Sequence, residues 1–168
     1  PNYEVVVVND GSTDRTREIA ERYANIRLIN QENQGLSAAR NVGLEAATGE
    51  IIAYTDCDCM ADPDWLTHLV ARFLSSDFGA VGGPNLPPPD SSLVANCVAV
   101  SPGAPTHVLL EDEVAEHIPG CNMAFRREAL EAINGFDPVF RAAGDDVDLC
   151  WRLQNKGYTI GFSAAAVV

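Results

Sequence analysis

The chain has 168 residues, a length that suits one domain with a sizeable hydrophobic core. Hydrophobic residues make up 46% of it and charged residues 21%, while the formal net charge is -13. A chain this acidic offers no basic stripe for a phosphate backbone, so we expect no nucleic-acid partner. We also see neither a signal peptide nor a run of the ~20 apolar residues that a membrane span requires.

The cysteines are odd in number and lack the paired C-x-x-C spacing, which argues against a disulfide framework and against a structural zinc site. They stand at positions 57, 59, 97, 121 and 150. Reduced thiols in a cytosolic compartment are the simplest interpretation. We therefore expect a cytoplasmic location or, for a longer parent protein, the cytoplasmic face of a membrane.

Hydrophobic periodicity predicts strands and helices that alternate along most of the chain. The predicted strands cover 4–8, 26–29, 51–55, 122–125 and 158–162, and the predicted helices 15–24, 37–47, 63–74, 127–133 and 146–155. This alternation predicts an α/β fold with a mainly parallel sheet flanked by helices. Between 79 and 116 the pattern fades into a section rich in glycine and proline, which we expect to be irregular.

We expect one domain, 1–168, with a regular, nucleotide-like half at 1–83 and a looser half at 84–168. Both tryptophans, Trp65 and Trp151, are expected in the core.

Two acidic residues follow the buried strand that begins at Ile51, namely Asp56 and Asp58. Side chains at positions i and i+2 of an extended segment point to the same side. Two carboxylates there can share one Mg²⁺ or Mn²⁺ and leave positions open for phosphate oxygens. The alternative is a polar turn in which Asp58 and Asp62 cap the next helix.

Asp10 ends the first predicted strand, at the edge where α/β sheets bind nucleotides, so it is a candidate acceptor for a base or ribose. A turn-forming role is equally compatible with its position. Arg40 lies in a helix of small residues, where a guanidinium could reach a base or a diphosphate. An exposed ion pair of Arg40 with Glu32 or Glu45 is the alternative.

A third acidic cluster, Asp145, Asp146 and Asp148, lies in the first turn of a predicted helix. The helix dipole favours acids there, which accounts for two of the three. The third leaves room for a general base.

Taken together, six segments resemble the inverting family-two glycosyltransferases of the GT-A fold. They follow the family's order and cover nearly the whole chain. The segments are 7–14 (VVNDGSTD), 33–41 (NQGLSAARN), 56–58 (DCD), 120–127 (GCNMAFRR), 135–137 (GFD) and 145–153 (DDVDLCWRL).

The resemblance implies a role for each matching position. Asp10 and Arg40 match residues that hold the nucleotide base, and Asp56 matches the first acid of the family's D-x-D motif. Asp58 matches the acid that ligates Mg²⁺ or Mn²⁺ on the diphosphate, and Asp146 matches the catalytic base. The residues expected to line the cleft are Gly120, Cys121, Asn122 and Asp145, the last standing where the family often has glutamate.

The resemblance also implies that the chain is a fragment. The family normally has a strand and a helix before the segment that begins at Pro1, and often a metal-binding histidine after the segment that ends at Val168. We therefore expect an incomplete donor site. A neighbouring chain could supply the absent strand, so a homo-oligomer is left open, as is an exposed sheet edge.

The expected function is transfer of a sugar, with inversion, from a nucleoside-diphosphate sugar to an acceptor hydroxyl. With this function, 1–83 is the expected nucleotide-binding half and 84–168 the acceptor and catalytic half, in which 84–117 is the expected determinant of the acceptor. The resemblance makes uridine diphosphate the default nucleotide, a glycan, lipid or other hydroxyl compound the acceptor, and cell-surface polysaccharide synthesis the setting. A non-catalytic glycosyltransferase-like module that binds or assembles is the alternative. A phosphatase with Asp56 as nucleophile fits less well, since Cys59 and Met60 follow the motif instead of Gly-Thr.

Overall fold

The computed structural model describes residues 2–88, 90–99, 101 and 107–168. The strands are β1 (Val5–Asp10), β2 (Ile26–Gln31), β3 (Ile51–Tyr54), β4 (Ala80–Gly82), β5 (Val108–Glu111), β6 (Val114–His117), β7 (Met123–Arg126) and β8 (Ile160–Phe162). The helices are α1 (Thr16–Ala20), α2 (Leu36–Ala46), α3 (Trp65–Leu74), α4 (Leu93–Ala99), α5 (Arg127–Ala132) and α6 (Asp145–Asn155). None of the helices in the described parts of the chain combines the length and apolar character needed to cross a membrane.

The strands of the described residues form two sheets. β1 and β2 pair in parallel, and a second sheet has the order β3-β7-β4-β8-β6-β5. The predicted α/β class is confirmed, but the expected mainly parallel pairing is wrong for the larger sheet. There β4 and β8 are parallel, whereas β7 runs antiparallel to both β3 and β4, and β6 runs antiparallel to β5 and β8. Strands of three or four residues carry no direction in their sequence, so periodicity alone could not reveal this.

The core lies on both faces of the larger sheet, as the alternation of β7 shows. Met123 and Phe125 pack into one hydrophobic cluster with residues of α5 and α6, whereas Ala124 packs into another with Trp65 and Leu69 of α3. Successive side chains of a strand point to opposite faces, so one four-residue strand contributes to both. Of the two tryptophans, Trp65 is buried as predicted, but the prediction for Trp151 is wrong: it is 52% exposed and donates to Glu116.

The section from 79 to 116 is more regular than predicted, because it contains β4, α4, β5 and β6. Each has only three to seven residues, too few to show a period. Positions 89, 100 and 102–106 of the expected acceptor region lie outside the described residues, as does Pro1. Conversely, α1 is shorter than predicted, and the expected apolar face, Ile19 and Tyr23, is exposed.

A groove of about 910 Å³ separates the two sheets. One wall is formed by Val5 and Val6 of β1 and the other by Ile51–Tyr54 of β3, with residues of α3 at the side. Among the described strands, β1 pairs only with β2 and β3 only with β7, so each turns an unpaired edge toward this groove. Asp10, Asp58 and Asp146 are not among its lining residues.

Candidate functional site

The carboxylate of Asp10 is already bound by protein groups. It accepts hydrogen bonds from the Gln31 side chain at 2.7 Å and from the backbone N–H groups of Gln34 and Gly35, both at 2.8 Å. Burial raises its pKa, but these bonds outweigh that effect and the net pKa is lowered. Asp10 thus fixes the loop between β2 and α2. The local turn after β1 is instead closed by Asn9, whose side chain accepts from Ser12 N–H at 3.1 Å.

Asp56 and Asp58 lie in a tight turn rather than in an extended segment. β3 ends at Tyr54, and the N–H of Cys59 donates to the Asp56 carbonyl at 3.1 Å. The side chain of Asp56 is 48% exposed, and Asp58 is exposed as well. The capping alternative does not hold for Asp58, because α3 begins only at Trp65. Near the start of α3 it is the side chain of Asp62 that accepts a hydrogen bond, from the N–H of Asp64 at 2.8 Å.

The three acids at the start of α6 have three different partners. Asp145 is 3% exposed and is paired with Arg40, whereas Asp148 pairs with Arg152 at 2.7 Å. Asp146 is half-buried, and its two oxygens accept from the backbone N–H groups of Gly120 at 2.8 Å and Val147 at 2.9 Å. Asp146 is therefore held by backbone groups and keeps part of its surface open.

Arg40 connects these acids. Its guanidinium is buried, is paired with Asp145, and donates to the Gly120 carbonyl at 3.0 Å. It also lies 3.5 Å from a carboxylate oxygen of Asp56. The exposed pairing with Glu32 or Glu45 is not what the structure shows. Arg40 thus brings together the acid that follows β3 and the loop that holds Asp146.

The floor of this cluster is aromatic. The Arg40 guanidinium carbon lies 5.5 Å from the centre of the Phe136 ring, and Tyr54 packs edge-on against Phe136 at 5.2 Å. Burial raises the pKa of Tyr54 above its usual value, because the charged phenolate is disfavoured there. Sequence reasoning missed Phe136 as a site residue. The signal that could have marked Phe136 is its position in the segment 135–137 (GFD), which resembles the family.

Asn122 supports the loop from behind, although we expected it to line the cleft. It is 0% exposed, accepts from the Trp65 indole N–H at 2.8 Å, and donates to the carbonyls of Pro84 and Ala166 at 2.9 and 2.7 Å. Cys121 is also buried, and burial raises the pKa of its thiol to about 12. Gly120, another of the residues expected to line the cleft, donates its N–H to Asp146.

The sequence model of the family described as Glycosyl transferase family 2 matches residues 1–133. The chain belongs to this family. A second model, described as the N-terminal domain of galactosyltransferase, matches residues 112–166.

Curated relatives and solved structures agree with this membership. The Glycosyltransferase AglE of Haloferax volcanii is 31% identical over 96% of this chain, and a Pre-mycofactocin glycosyltransferase of Mycobacterium tuberculosis is 27% identical over 98%. The match spans 54% and 36% of those proteins. This chain therefore spans about half the length of the first relative and about a third of the second.

Among solved structures, the mannosyltransferase PcManGT from Pyrobaculum calidifontis, in complex with GDP-Man and Mn²⁺, superimposes with a TM-score of 0.68. It is 29% identical, with 98% of this chain and 46% of that chain covered. TarS of S. aureus superimposes with a TM-score of 0.70 at 20% identity, over 96% of this chain and 49% of that one. The GT-A fold expected from the sequence is thus confirmed.

Proposed function

We propose that this chain carries the donor site and the catalytic base of a metal-dependent, inverting glycosyltransferase that uses a nucleoside-diphosphate sugar. The observation that carries the proposal is the cluster in which Arg40 contacts Asp56 and Gly120 while Gly120 binds Asp146. These residues come from four separate segments of the chain. Their meeting brings the acid of the D-x-D motif and the candidate base into one hydrogen-bonded network.

Asp146 is the proposed general base. Backbone N–H groups bind both of its oxygens, which fixes the direction of the carboxylate, and its partial exposure leaves it within reach of a hydroxyl. It takes the proton of the acceptor hydroxyl as that oxygen attacks the anomeric carbon from the face opposite the diphosphate. The bond from the anomeric carbon to phosphate oxygen breaks, and the electron pair leaves with the nucleoside diphosphate, so the displacement inverts the configuration.

Asp58, with Asp56 beside it, is the proposed binding position for Mg²⁺ or Mn²⁺. Both are exposed carboxylates in one turn, and hard oxygen donors suit either ion. Within the described residues, no group of three or more His, Cys, Asp or Glu side chains is arranged to hold a metal. Phosphate oxygens and water would therefore have to complete the coordination, and the bound ion would offset charge on the departing diphosphate. The complex of PcManGT with GDP-Man and Mn²⁺ supports this choice.

We assign the donor nucleotide to the side of the cluster where Asp10 and Asp56 lie, with Arg40 beneath Asp56 at 3.5 Å. Asp10 would act there through the loop it holds, since Gln34 and Gly35 occupy its oxygens. Uridine diphosphate is our default, and a TarS complex with UDP-GlcNAc supports it, whereas PcManGT favours a test of guanosine as well. The proposed acceptor is a glycan, a lipid or another hydroxyl compound.

Thermal unfolding with a panel of nucleoside diphosphates, each with Mn²⁺ and with chelator, tests the donor site. A ligand at 100 times its dissociation constant stabilises by ~2.7 kcal/mol, which corresponds to a rise in Tm of roughly 5–10 °C at this size. We expect a metal-dependent rise with one nucleotide, lost in Asp58→Ala and kept in Asp77→Ala, a control at an acid between α3 and β4. A rise that survives chelator and Asp58→Ala would remove the metal role. No rise with any nucleotide would favour a non-catalytic module.

A further inference from the structure

The Arg40 guanidinium is occupied by protein groups on several sides. Asp145 neutralises it, the Gly120 carbonyl accepts from it, and the Phe136 ring lies beside it. Arg40 and Asp145 are 8% and 3% exposed, so their pair is removed from solvent. A guanidinium bound in this way is fixed in orientation, and its free surface for a ligand is small.

Gly120 connects the Arg40 guanidinium to the carboxylate of Asp146. Its carbonyl accepts from Arg40 at 3.0 Å, and its own N–H donates to Asp146 at 2.8 Å. A Cβ at this position would lie 3.1 Å from an Arg40 nitrogen and 3.2 Å from an Asp146 oxygen. The contact is close on both sides, so a displacement of Arg40 would move Gly120 and with it the carboxylate of Asp146.

Arg40 also contacts Asp56, the first acid of the D-x-D motif. One nitrogen of its guanidinium both donates to Gly120 and lies 3.5 Å from Asp56. A planar fork can hold several acceptors at fixed angles, which a lysine ammonium on a flexible stem cannot do. One side chain thus determines how the turn after β3 and the start of α6 lie relative to each other.

We propose that Arg40, held by Asp145, is a positioning residue that sets Asp146 through Gly120 and sets Asp56 directly, rather than a residue that binds the nucleotide base. The inference rests on the proposed function, because it assigns the placement of that site's base and of its first acid. A consequence is that Arg40 should govern the rate of the chemical step more than the affinity for the donor. A displacement of about 1 Å at a reacting group can cost ~100-fold in rate.

The test compares wild type with Arg40→Lys, Asp145→Asn and the double variant. The reaction followed is release of nucleoside diphosphate from the nucleotide sugar whose nucleotide stabilises the wild type, with Mn²⁺ and with water as the acceptor. We expect kcat to fall by ~100-fold in each single variant while KM for the donor changes little. The double variant should be no slower than the slower single one, because both changes act through one pair.

Arg126→Lys is the matched control for a structural effect. Arg126 donates to the carbonyls of Phe73, Ser76 and Phe78 at 2.7, 3.0 and 3.0 Å, away from the acids. We expect its variant to unfold at lower temperature with kcat unchanged. If Arg40→Lys raises KM for the donor and keeps kcat, Arg40 binds the donor directly; this result would overturn the inference and leave the proposed function standing. A fall in kcat no larger than that of Arg126→Lys would overturn it as well. Absence of turnover in the wild type with every donor would overturn the proposed function and the inference together.

Discussion

Asn122 gives the sharpest prediction about what holds the catalytic loop in place. Its side chain is completely buried and makes three hydrogen bonds, one from the Trp65 indole and two to the carbonyls of Pro84 and Ala166. Leucine has the same branching and the same number of side-chain heavy atoms, but its methyl groups are bulkier and it offers neither donor nor acceptor. Asn122→Leu therefore removes the hydrogen bonds while keeping a branched side chain, and any crowding by the methyl groups adds to the loss.

The cost follows from which partners are left without a bond. The Pro84 carbonyl keeps the N–H of Val168 at 3.2 Å, so it loses little. The Trp65 N–H and the Ala166 carbonyl each lose the Asn122 side chain. A buried polar group without a partner costs ~1–3 kcal/mol, so the two together cost about 2–6 kcal/mol. At this chain length the loss lowers Tm by roughly 4–24 °C.

Thermal unfolding of Asn122→Leu, Trp65→Phe and the double variant separates the hydrogen bond from packing. Phenylalanine keeps an aromatic ring at 65 and lacks the N–H, so the double variant no longer buries an unpaired indole donor. Its free energy of unfolding should fall by ~1–3 kcal/mol less than the sum of the two single losses. Strict additivity would show that the Trp65–Asn122 bond contributes nothing. An unchanged Tm in Asn122→Leu would refute the argument from burial altogether.

Two further predictions concern the acids. Asp146→Asn should abolish release of nucleoside diphosphate and leave the nucleotide-dependent rise in Tm intact, because the base acts only in the chemical step; near-normal turnover would remove the assignment. For Asp10, whose folded pKa is lowered, the stabilisation is complete above the unfolded pKa of ~3.9 and is lost as the pH falls through the lower folded value. The difference in free energy of unfolding between wild type and Asp10→Asn should therefore be largest near pH 7 and should shrink progressively below about pH 4. A difference that stays constant with pH would show that the hydrogen bonds to Asp10 do not lower its pKa.

The elements with a strong period or a clear end signal were predictable from sequence. α2 and α6 each lie within one residue of the predicted bounds. Gly35 precedes α2, and α6 lies between Gly144 and Gly157. β4 was not predicted, and β8 is shorter than the predicted strand at 158–162, because three residues cannot display a period. The antiparallel placement of β7 between β3 and β4 depends on the path of the chain between 83 and 122. The elements described there, α4, β5 and β6, are too short to be traced from pattern.

The types of residue at the site were predictable, but their partners were not. Asp10 and Arg40 were expected to face a ligand, whereas the structure shows their polar atoms bound largely by Gln31, Gln34, Gly35, Asp145 and Gly120. Such contacts join positions as far as 105 residues apart. They depend on how two halves of the chain pack, and no local spacing encodes them.

The buried pair of Arg40 and Asp145 is hard to explain by stability alone. Removing two charges from water is costly, and an apolar pair of the same volume would stabilise such a position as well or better. An apolar pair, however, would leave the Gly120 carbonyl without the donor it has at 3.0 Å and Asp56 without the cation at 3.5 Å. The two acids assigned to the metal and to the base would then lose their shared point of attachment. What the pair supplies, and leucine or methionine could not, is a fixed geometry between them.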